Sequence, residues 1–192
     1  AVPLYILLHT YMRVGNEIYY RLHHHKGLTT LKKSDIKISG AEVSFKYISK
    51  GGVPLEITES FPNVFVERLK RILKPLKKGD FVFVEKKTRS PLKDTAFKFA
   101  FKKYCGFAFY PHIVRSWFAT RAVEDFLKSN PHPSKRQVRE LYTQIAEKLG
   151  HKKFVKKKRK WEDSYAVTVH HYIRPELVKK VKLLSEGVRK KV

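Results

Sequence analysis

The sequence contains a single cysteine, few acidic residues and no apolar run long enough to cross a membrane. Cys105 is the only cysteine among 192 residues, which excludes an internal disulfide and a zinc site built from cysteines. A lone thiol fits a reducing compartment, and we expect a cytoplasmic protein. Asp and Glu total 17 against 42 Lys and Arg, which gives a formal net charge of +25. The excess of positive charge that results from this lack of acidic residues predicts a polyanionic partner.

The positive charge is spread along the whole sequence. A membrane-surface protein would instead gather its basic residues on one amphipathic helix. The backbone of a nucleic acid supplies the density of negative charge that such a protein needs. Hydrophobic residues make up 42% and aromatic residues 13% of the chain, which excludes a disordered basic tail. The composition therefore favours a folded domain that binds nucleic acid.

Hydrophobic spacing predicts an α+β domain that is mostly helical, with a small antiparallel sheet. Helices are expected at 4–22 with a break at Gly15 and Asn16, and then at 61–76, 95–104, 114 onward, 134–149 and 175–188. Short strands are expected at 28–38, 41–48, 53–57 and 80–84, and a strand or short helix at 165–172. We expect residues 1–192 to form one domain, a fragment of a longer chain.

The stretch PHIVRSWFAT, at 111–120, places His112 and Arg115 three residues apart where an apolar helix begins. A guanidinium offers a two-pronged contact to a phosphate, and an imidazole can move a proton. The stretch therefore predicts a phosphate site, or simply a basic residue beside a core helix. Helical spacing places three apolar residues on the buried side: Trp117, Phe118 and Val123.

A dense basic run follows the helix at 134–149. We expect a mobile loop that faces DNA, with these side chains binding it: Lys152, Lys153, Lys156, Lys157, Lys158, Arg159 and Lys160. Three adjacent histidines at 23–25 predict an exposed loop more than a metal site, because neighbouring residues cannot all face one ion. We therefore assign no metal ligands.

Six side chains lie at the ends of predicted elements or in turns, where functional residues concentrate: Arg13, Lys50, His112, Arg115, His151 and Tyr172. These residue types can cut a phosphodiester. Two arginines can hold the non-bridging oxygens while a tyrosine hydroxyl attacks phosphorus and stores the bond as a phosphotyrosine. A lysine in a flexible turn can protonate the leaving 5′ oxygen, and a histidine can assist the nucleophile.

Five segments resemble the sequence boxes of the tyrosine recombinase catalytic domain: LLHTYMRVGNEI, ISKGGVPLEI, PHIVRSWFAT, EKLGH and TVHHYIRP. The resemblance implies that the same six residues are catalytic, with Tyr172 as the nucleophile. It implies that residues 1–192 are the catalytic domain of a longer chain and that its N-terminal DNA-binding domain is missing from this sequence. It also implies site-specific recombination or integration of double-stranded DNA through a 3′-phosphotyrosine, by a homotetramer with no cofactor, encoded by a mobile element such as a virus or plasmid. Tyr110 and Tyr165 are interpreted as packing or DNA-stacking residues.

Two features depart from this pattern. His151 and Tyr172 are far apart because the basic run appears between them as an insertion, so Trp161 is an alternative for the position of His151. RVGNE, GLTTL and HYIRP resemble type IB topoisomerases, which share the nucleophile chemistry and relax supercoils as monomers. Those enzymes would be expected to carry lysine in place of His112, and on that residue we favour the recombinase.

Two further hypotheses stay open at this point. The chain is either an enzyme of this chemistry or a non-catalytic basic module that binds DNA with the same fold. The segment 177–192 has apolar residues at helical spacing. It is expected either to dock onto a neighbouring protomer or to pack on its own domain.

Overall fold

The computed structural model describes residues 2–186. Its helices and strands, in chain order, are α1 (Val2–Thr10), α2 (Glu17–His23), β1 (Ile36–Ser39), β2 (Glu42–Ser49), β3 (Val53–Ser60), α3 (Asn63–Leu73), α4 (Asp94–Cys105), α5 (Ile113–Ser129), α6 (Lys135–Lys148), β4 (Lys152–Val155), β5 (Lys160–Asp163), α7 (Ala166–His171) and α8 (Pro175–Glu186). The predicted α+β class is confirmed. The chain divides into two compact units, residues 1–112 and 113–192.

The first unit is built on an antiparallel sheet with strand order β1-β2-β3. Along β2 the side chains alternate between core and solvent, and Val43 and Phe45 are fully buried. The register pairs Phe45 with Ile36 on one side and with Ile57 on the other. Apolar residues of α1 and α3 complete this core. β2, β3 and the presence of a break before α2 follow the hydrophobic pattern as predicted, but α1 ends at Thr10, before the predicted break at Gly15 and Asn16.

The strand predicted at 28–38 is wrong over most of its length. Leu28–Thr30 and Lys33–Asp35 form short 3₁₀ turns, and β1 begins only at Ile36. Thr30 Oγ1 accepts a hydrogen bond from Gly27 N at 2.9 Å, and Asp35 Oδ2 accepts one from Lys32 N at 2.7 Å. Such local side-chain bonds satisfy backbone donors that a strand would need, so they compete with a sheet ladder.

The strand predicted at 80–84 is also absent from the structure. Phe81 makes an isolated bridge with Lys32, and Val84 makes another with Pro91. Because the two ends of this segment pair with different parts of the chain, no continuous ladder forms. α3 and α4 lie where helical spacing predicts them.

The second unit packs α5, α6 and α8 around Val123, Ala146 and Val181, which are buried. Ser134 is the N-cap of α6: its Oγ accepts from Gln137 N, while Gln137 Oε1 accepts from Ser134 N. This reciprocal pair satisfies two donors at the helix start. Gly150 follows the helix with φ of +64°. These boundaries confirm the predicted helix.

The predicted buried face of α5 is partly wrong. Trp117 is 61% exposed, whereas Arg115 is 2% exposed and lies on the buried side with Val114, Ala119 and Val123. That buried face is centred near Arg115, and Trp117 lies about 200° away around the helix. The charged Arg115 therefore faces the core, whereas Trp117, which the hydrophobic pattern predicts to be buried, faces solvent.

The basic run is a β-hairpin, so the prediction of an unstructured loop is wrong. β4 pairs with β5 so that Phe154 lies opposite Trp161, and their rings meet edge to face at 5.4 Å. Lys158 Nζ donates to Glu162 Oε1 at 2.9 Å, which lowers the pKa of that carboxyl. The cross-strand aromatic pair and this ion pair are local attractions that favour the hairpin.

Residues 165–172 form the short helix α7 and its C-terminal cap, one of the two predicted alternatives. The closing helix is described as far as Glu186. Residues 187–192, which include the end of the predicted helix and of the predicted docking segment, lie outside the described residues. Within 2–186, no helix has the length and apolar character to cross a membrane.

Candidate active site

Arg115 is held by its guanidinium at the start of α5. Its Nη2 donates to the carbonyl of Leu149 at 2.9 Å and lies 2.9 Å from His151 Nε2. Leu149 and His151 flank Gly150 at the end of α6, and His151 N donates to Ala146 O at 2.8 Å. The helix end therefore turns a carbonyl and an imidazole toward the same buried arginine.

The partners of His151 assign its tautomer. Arginine has only donors, so the contact with Arg115 is a hydrogen bond only if His151 Nε2 accepts it. The proton of the neutral ring then lies on Nδ1, which is 2.8 Å from Thr168 Oγ1 and donates to it. Thr168 is fully buried on α7. The imidazole is thus fixed between an arginine on one side and a hydroxyl on the other.

Tyr172 completes this cluster at the end of α7. Its backbone N donates to Thr168 O at 3.0 Å, which leaves the residue at the cap of the helix. The ring centroid lies 4.7 Å from that of His151 and 5.2 Å from Cζ of Arg115. Thr120 Oγ1 donates to the Tyr172 carbonyl at 3.4 Å. Tyr172 is 5% exposed.

The β4–β5 hairpin connects two members of the cluster. It begins directly after His151 and ends just before Ser164, whose N donates to the His151 carbonyl at 2.9 Å. This bond closes the base of the hairpin and returns the chain to α7. The long insertion therefore does not separate His151 from Tyr172 in space.

In the first unit, Arg13 lies in the loop between α1 and α2. Leu28 N donates to Arg13 O at 2.8 Å, and Thr29 N donates to Val14 O at 2.7 Å. Gly15 and Gly27 cross closely, because a Cβ built on Gly27 would lie 2.5 Å from Gly15 N. RVGNE and GLTTL, which are separate in the sequence, therefore form one interlocked unit that fixes the backbone of Arg13.

Lys50 lies in the turn between β2 and β3, as predicted. The turn Lys50–Gly52 is a 3₁₀ turn in which both glycines have φ of +79°, a conformation that favours glycine. The lysine is exposed, and its Nζ lies 5.6 Å from the centre of the Tyr19 ring. Lys26 N donates to Ile48 O at 2.7 Å. Residues 26–29 therefore bond to both the strand that leads to Lys50 and the loop that carries Arg13.

A comparison with protein-family models matches residues 1–174 to the eukaryotic DNA topoisomerase I catalytic core. The matched range contains all six predicted catalytic residues. The chain belongs to this family. A comparison with curated proteins finds no significant match.

As a topoisomerase I core, the chain belongs to a family of DNA-binding enzymes that break and rejoin DNA. The match favours the type IB topoisomerase interpretation over the recombinase that His112 led us to favour. It gives no support to recombination, integration or a mobile element. The segments RVGNE, GLTTL and HYIRP were the better guide.

Three of the six predicted residues of this topoisomerase I core lie together: Arg115, His151 and Tyr172. Arg13, Lys50 and His112 belong to the other unit, and His112 is exposed in the turn that precedes α5. Their catalytic roles stay predictions.

Trp161, the alternative to His151, and Tyr165, a second tyrosine near Tyr172 in the sequence, make other contacts. Trp161 packs on Phe154, within the hairpin. The Tyr165 ring lies 6.0 Å from that of Tyr142, and burial raises the pKa of the Tyr142 hydroxyl. His151 is the residue that contacts Arg115 and Tyr172. Among residues 2–186, no group of three His, Cys, Asp or Glu side chains could hold a metal ion.

The role of Thr168 as a partner of His151 was not predicted. The available signal was its position four residues before Tyr172, which places both on one face of a helix. Because the alternatives for 165–172 included a strand, that spacing carried no prediction. The Leu149 carbonyl could not be predicted either, because its direction depends on how α6 ends.

Proposed function

We propose that this chain cleaves one strand of duplex DNA and rejoins it through a 3′-phosphotyrosine at Tyr172, relaxing supercoils as a type IB topoisomerase. The observation that carries the proposal is the buried contact of Arg115, His151 and Tyr172 in a chain of the topoisomerase I family. An arginine beside a tyrosine brings a phosphate-binding group to a nucleophile.

The reaction exchanges one phosphodiester for another. The Tyr172 oxygen forms a bond to phosphorus, and the bond from phosphorus to the 5′ oxygen breaks. The proton of the tyrosine hydroxyl leaves to a base, and the 5′ oxygen takes a proton from Lys50. Rejoining reverses each step, with the 5′ hydroxyl as nucleophile. Because the phosphotyrosine conserves the bond energy, the balance requires no nucleotide cofactor.

Arg13 and Arg115 are assigned to the non-bridging oxygens, where negative charge increases in the transition state. Arg115 is oriented before DNA binds, because the Leu149 carbonyl and His151 Nε2 both accept from its Nη2. Preorganisation of this kind lowers the cost of aligning the donors during the reaction. His151 therefore acts in the DNA-free protein as an anchor for Arg115, and His112 is assigned to assist proton transfer.

Replacing Tyr172 by Phe is the decisive test. The phenylalanine ring preserves the packing against His151 and Arg115, so the fold is expected to persist while covalent linkage to DNA is abolished. Supercoiled plasmid is incubated with protein, treated with detergent and resolved for protein-linked and relaxed DNA. Tyr165→Phe, another tyrosine of the same unit, serves as the matched control and should retain the adduct.

Two outcomes would contradict the proposal. An adduct formed equally by Tyr172→Phe would place the nucleophile elsewhere. If the native protein forms no adduct on plasmid, it is tested again on a nicked duplex. Cleavage of this substrate releases a short strand, so rejoining is prevented and the covalent intermediate is trapped. Absence of the adduct there as well would leave a non-catalytic DNA-binding module.

We also propose that the β4–β5 hairpin binds the phosphate backbone. Lys153, Lys156 and Lys157 are exposed on it. Changing all three to Gln should lower the slope of log affinity against log salt by up to about 2.7, because each phosphate contact contributes about 0.9. Changing Lys179, Lys180 and Lys182 on α8 removes the same charge elsewhere in the unit. Equal effects of the two triple variants would contradict a specific role for the hairpin.

A site-specific recombinase is the second candidate, because His112 stands where a topoisomerase is expected to carry lysine. The two enzymes differ in assembly and products. A topoisomerase produces a ladder of relaxed topoisomers as a monomer, whereas a recombinase exchanges strands between two duplexes as a tetramer. Sedimentation of the protein on DNA, with analysis of the products from two marked duplexes, separates them.

A further inference from the structure

The segment that carries Tyr172 is a short connector, residues 172–174, between α7 and α8. Its backbone bonds to both helices. Tyr172 N donates to Thr168 O at 3.0 Å, and Arg174 O accepts from Leu177 N at 3.0 Å. Because the connector is so short, a contact made by the Arg174 side chain acts close to the nucleophile.

The connector contacts α5 at three points along that helix. The Tyr172 ring lies 5.2 Å from Cζ of Arg115. Thr120 Oγ1 donates to the Tyr172 carbonyl at 3.4 Å, and Arg174 Nη2 donates to Glu124 Oε1. Arg115 and Glu124 are about two and a half turns apart on α5. The helix that carries the buried arginine of the candidate site therefore also holds the segment of the tyrosine.

Glu124 is oriented by a second arginine on its own helix. Arg121 Nη1 lies 3.6 Å from Glu124 Oε2, so each carboxylate oxygen faces a guanidinium. The Glu124 side chain is 26% exposed. Arg121 also contacts Asp125 Oδ2 at 3.2 Å. Because these contacts orient the carboxylate in advance, Glu124 loses less conformational entropy when it binds Arg174.

An exposed arginine beside a candidate DNA site can serve in two ways. It can bind a phosphate of the DNA, or it can hold another part of the protein. The Glu124 carboxylate occupies Nη2 of Arg174 and offsets its charge, which weakens its attraction for a phosphate. The geometry therefore favours a role of Arg174 within the protein.

We propose that Glu124 is a positioning residue for the nucleophile, and that its ion pair with Arg174 sets where Tyr172 lies relative to Arg115. The inference rests on the proposed function, which assigns Tyr172 to strand cleavage. Attack on phosphorus requires the tyrosine oxygen to be aligned with the phosphate that Arg115 holds, and small displacements slow such steps. Ile173 is buried and keeps the connector packed when the ion pair is removed, so alignment is lost rather than structure.

The test measures single-turnover cleavage of the nicked duplex at saturating DNA, together with the affinity for DNA. Glu124→Gln and Arg174→Gln each remove one charge of the ion pair. Each should slow cleavage about fivefold, the factor that a strong surface ion pair supplies, and leave the affinity within about twofold of the native value. The double variant should be no slower than the slower single variant, because the same ion pair is lost in all three.

Two control variants separate positioning from general damage. Asp125→Asn removes an acidic charge from the next position of α5, and it should cleave at the native rate because Asp125 pairs with Arg121 and Lys128. Arg174→Lys keeps a cation that can reach Glu124, and it should retain most of the cleavage rate. Thermal unfolding of each variant checks the fold.

Three results would overturn the inference. Cleavage at the native rate by Glu124→Gln is the first, and additive losses in the double variant are the second, because they would mean that the two side chains act separately. The third is a loss confined to DNA affinity in Arg174→Gln, with the salt slope lowered by about 0.9, which would assign Arg174 to a phosphate. Native protein that forms no adduct contradicts the cleavage proposal and this inference with it, whereas a native adduct with unaffected variants contradicts this inference alone.

Discussion

The two candidate phosphate-binding arginines are held in different ways. Arg13 is fixed through its backbone, because Leu28 N donates to its carbonyl and Gly27 packs closely against Gly15 in the same loop. Arg115 is fixed through its side chain, which bonds to Leu149 O and His151 Nε2 in a buried position. One arginine is positioned by the path of the chain, the other by partners that are distant in sequence.

This difference separates stability from chemistry. The guanidinium of Arg115 satisfies buried acceptors, so its removal affects folding as well as phosphate binding. The Arg13 side chain is half-buried, and the bonds that hold its loop are made by backbone atoms. Substitutions at the two positions should therefore have similar effects on catalysis and different effects on stability.

Replacing each arginine by Met gives the largest expected contrast. Arg115→Met deprives two buried acceptors of their donor and should lower the free energy of unfolding by about 2–4 kcal/mol. Arg13→Met leaves the backbone bonds in place and should change it by less than about 0.5 kcal/mol. Chemical denaturation measures both, and the adduct assay should show a severe loss in each. Equal stability of the two variants would contradict the contrast.

Gly27→Ala attacks the backbone that holds Arg13. The added Cβ would lie 2.5 Å from Gly15 N and 2.6 Å from Arg13 O, and neither backbone atom can rotate away. The substitution should cost about 1–3 kcal/mol and displace Arg13, so cleavage should fall although the arginine is intact. Gly79→Ala is the matched control, because a Cβ there has no neighbour within 4 Å. Normal cleavage by Gly27→Ala would mean that the interlock does not position Arg13.

The difference between contacts that are local in sequence and contacts between distant segments also explains how much of the fold could be predicted. α3, α4 and α6 follow from local spacing and from the Ser134 cap, which involve residues close in sequence. The 3₁₀ turns at 28–35 were missed because the Thr30 and Asp35 side chains bond to nearby backbone, which hydrophobic alternation does not reveal. Local patterns give the elements, and side-chain bonding to the backbone decides where they end.

The candidate site was predictable as a set of residue types but not as an arrangement. The resemblance to known boxes named Arg115, His151 and Tyr172. Hydrophobic spacing predicted that Trp117 is in the core. It could not predict the burial of Arg115, because that burial depends on contacts with Leu149 and His151, which lie on another element. The interlock of RVGNE with GLTTL was likewise hidden, because a glycine crossing depends on the path of two distant segments.

Asn16→Ala is the mildest way to disturb the Arg13 side of the comparison. Asn16 Oδ1 accepts from Ile18 N at 2.8 Å and from Tyr19 N at 3.3 Å, and so caps α2 three residues after Arg13. Loss of this cap should cost about 1 kcal/mol and fray the first turn of α2. Hydrogen exchange of the α2 amides should therefore accelerate, with only a small decrease in cleavage because residues 26–29 still hold the Arg13 loop.

Asn63→Ala is the matched control. Asn63 is the first residue of α3, and the N-cap of that helix is Pro62, which makes no side-chain hydrogen bond. If Asn16→Ala abolished cleavage as completely as Arg13→Met, the position of Arg13 would depend on the cap of α2 rather than on the glycine interlock.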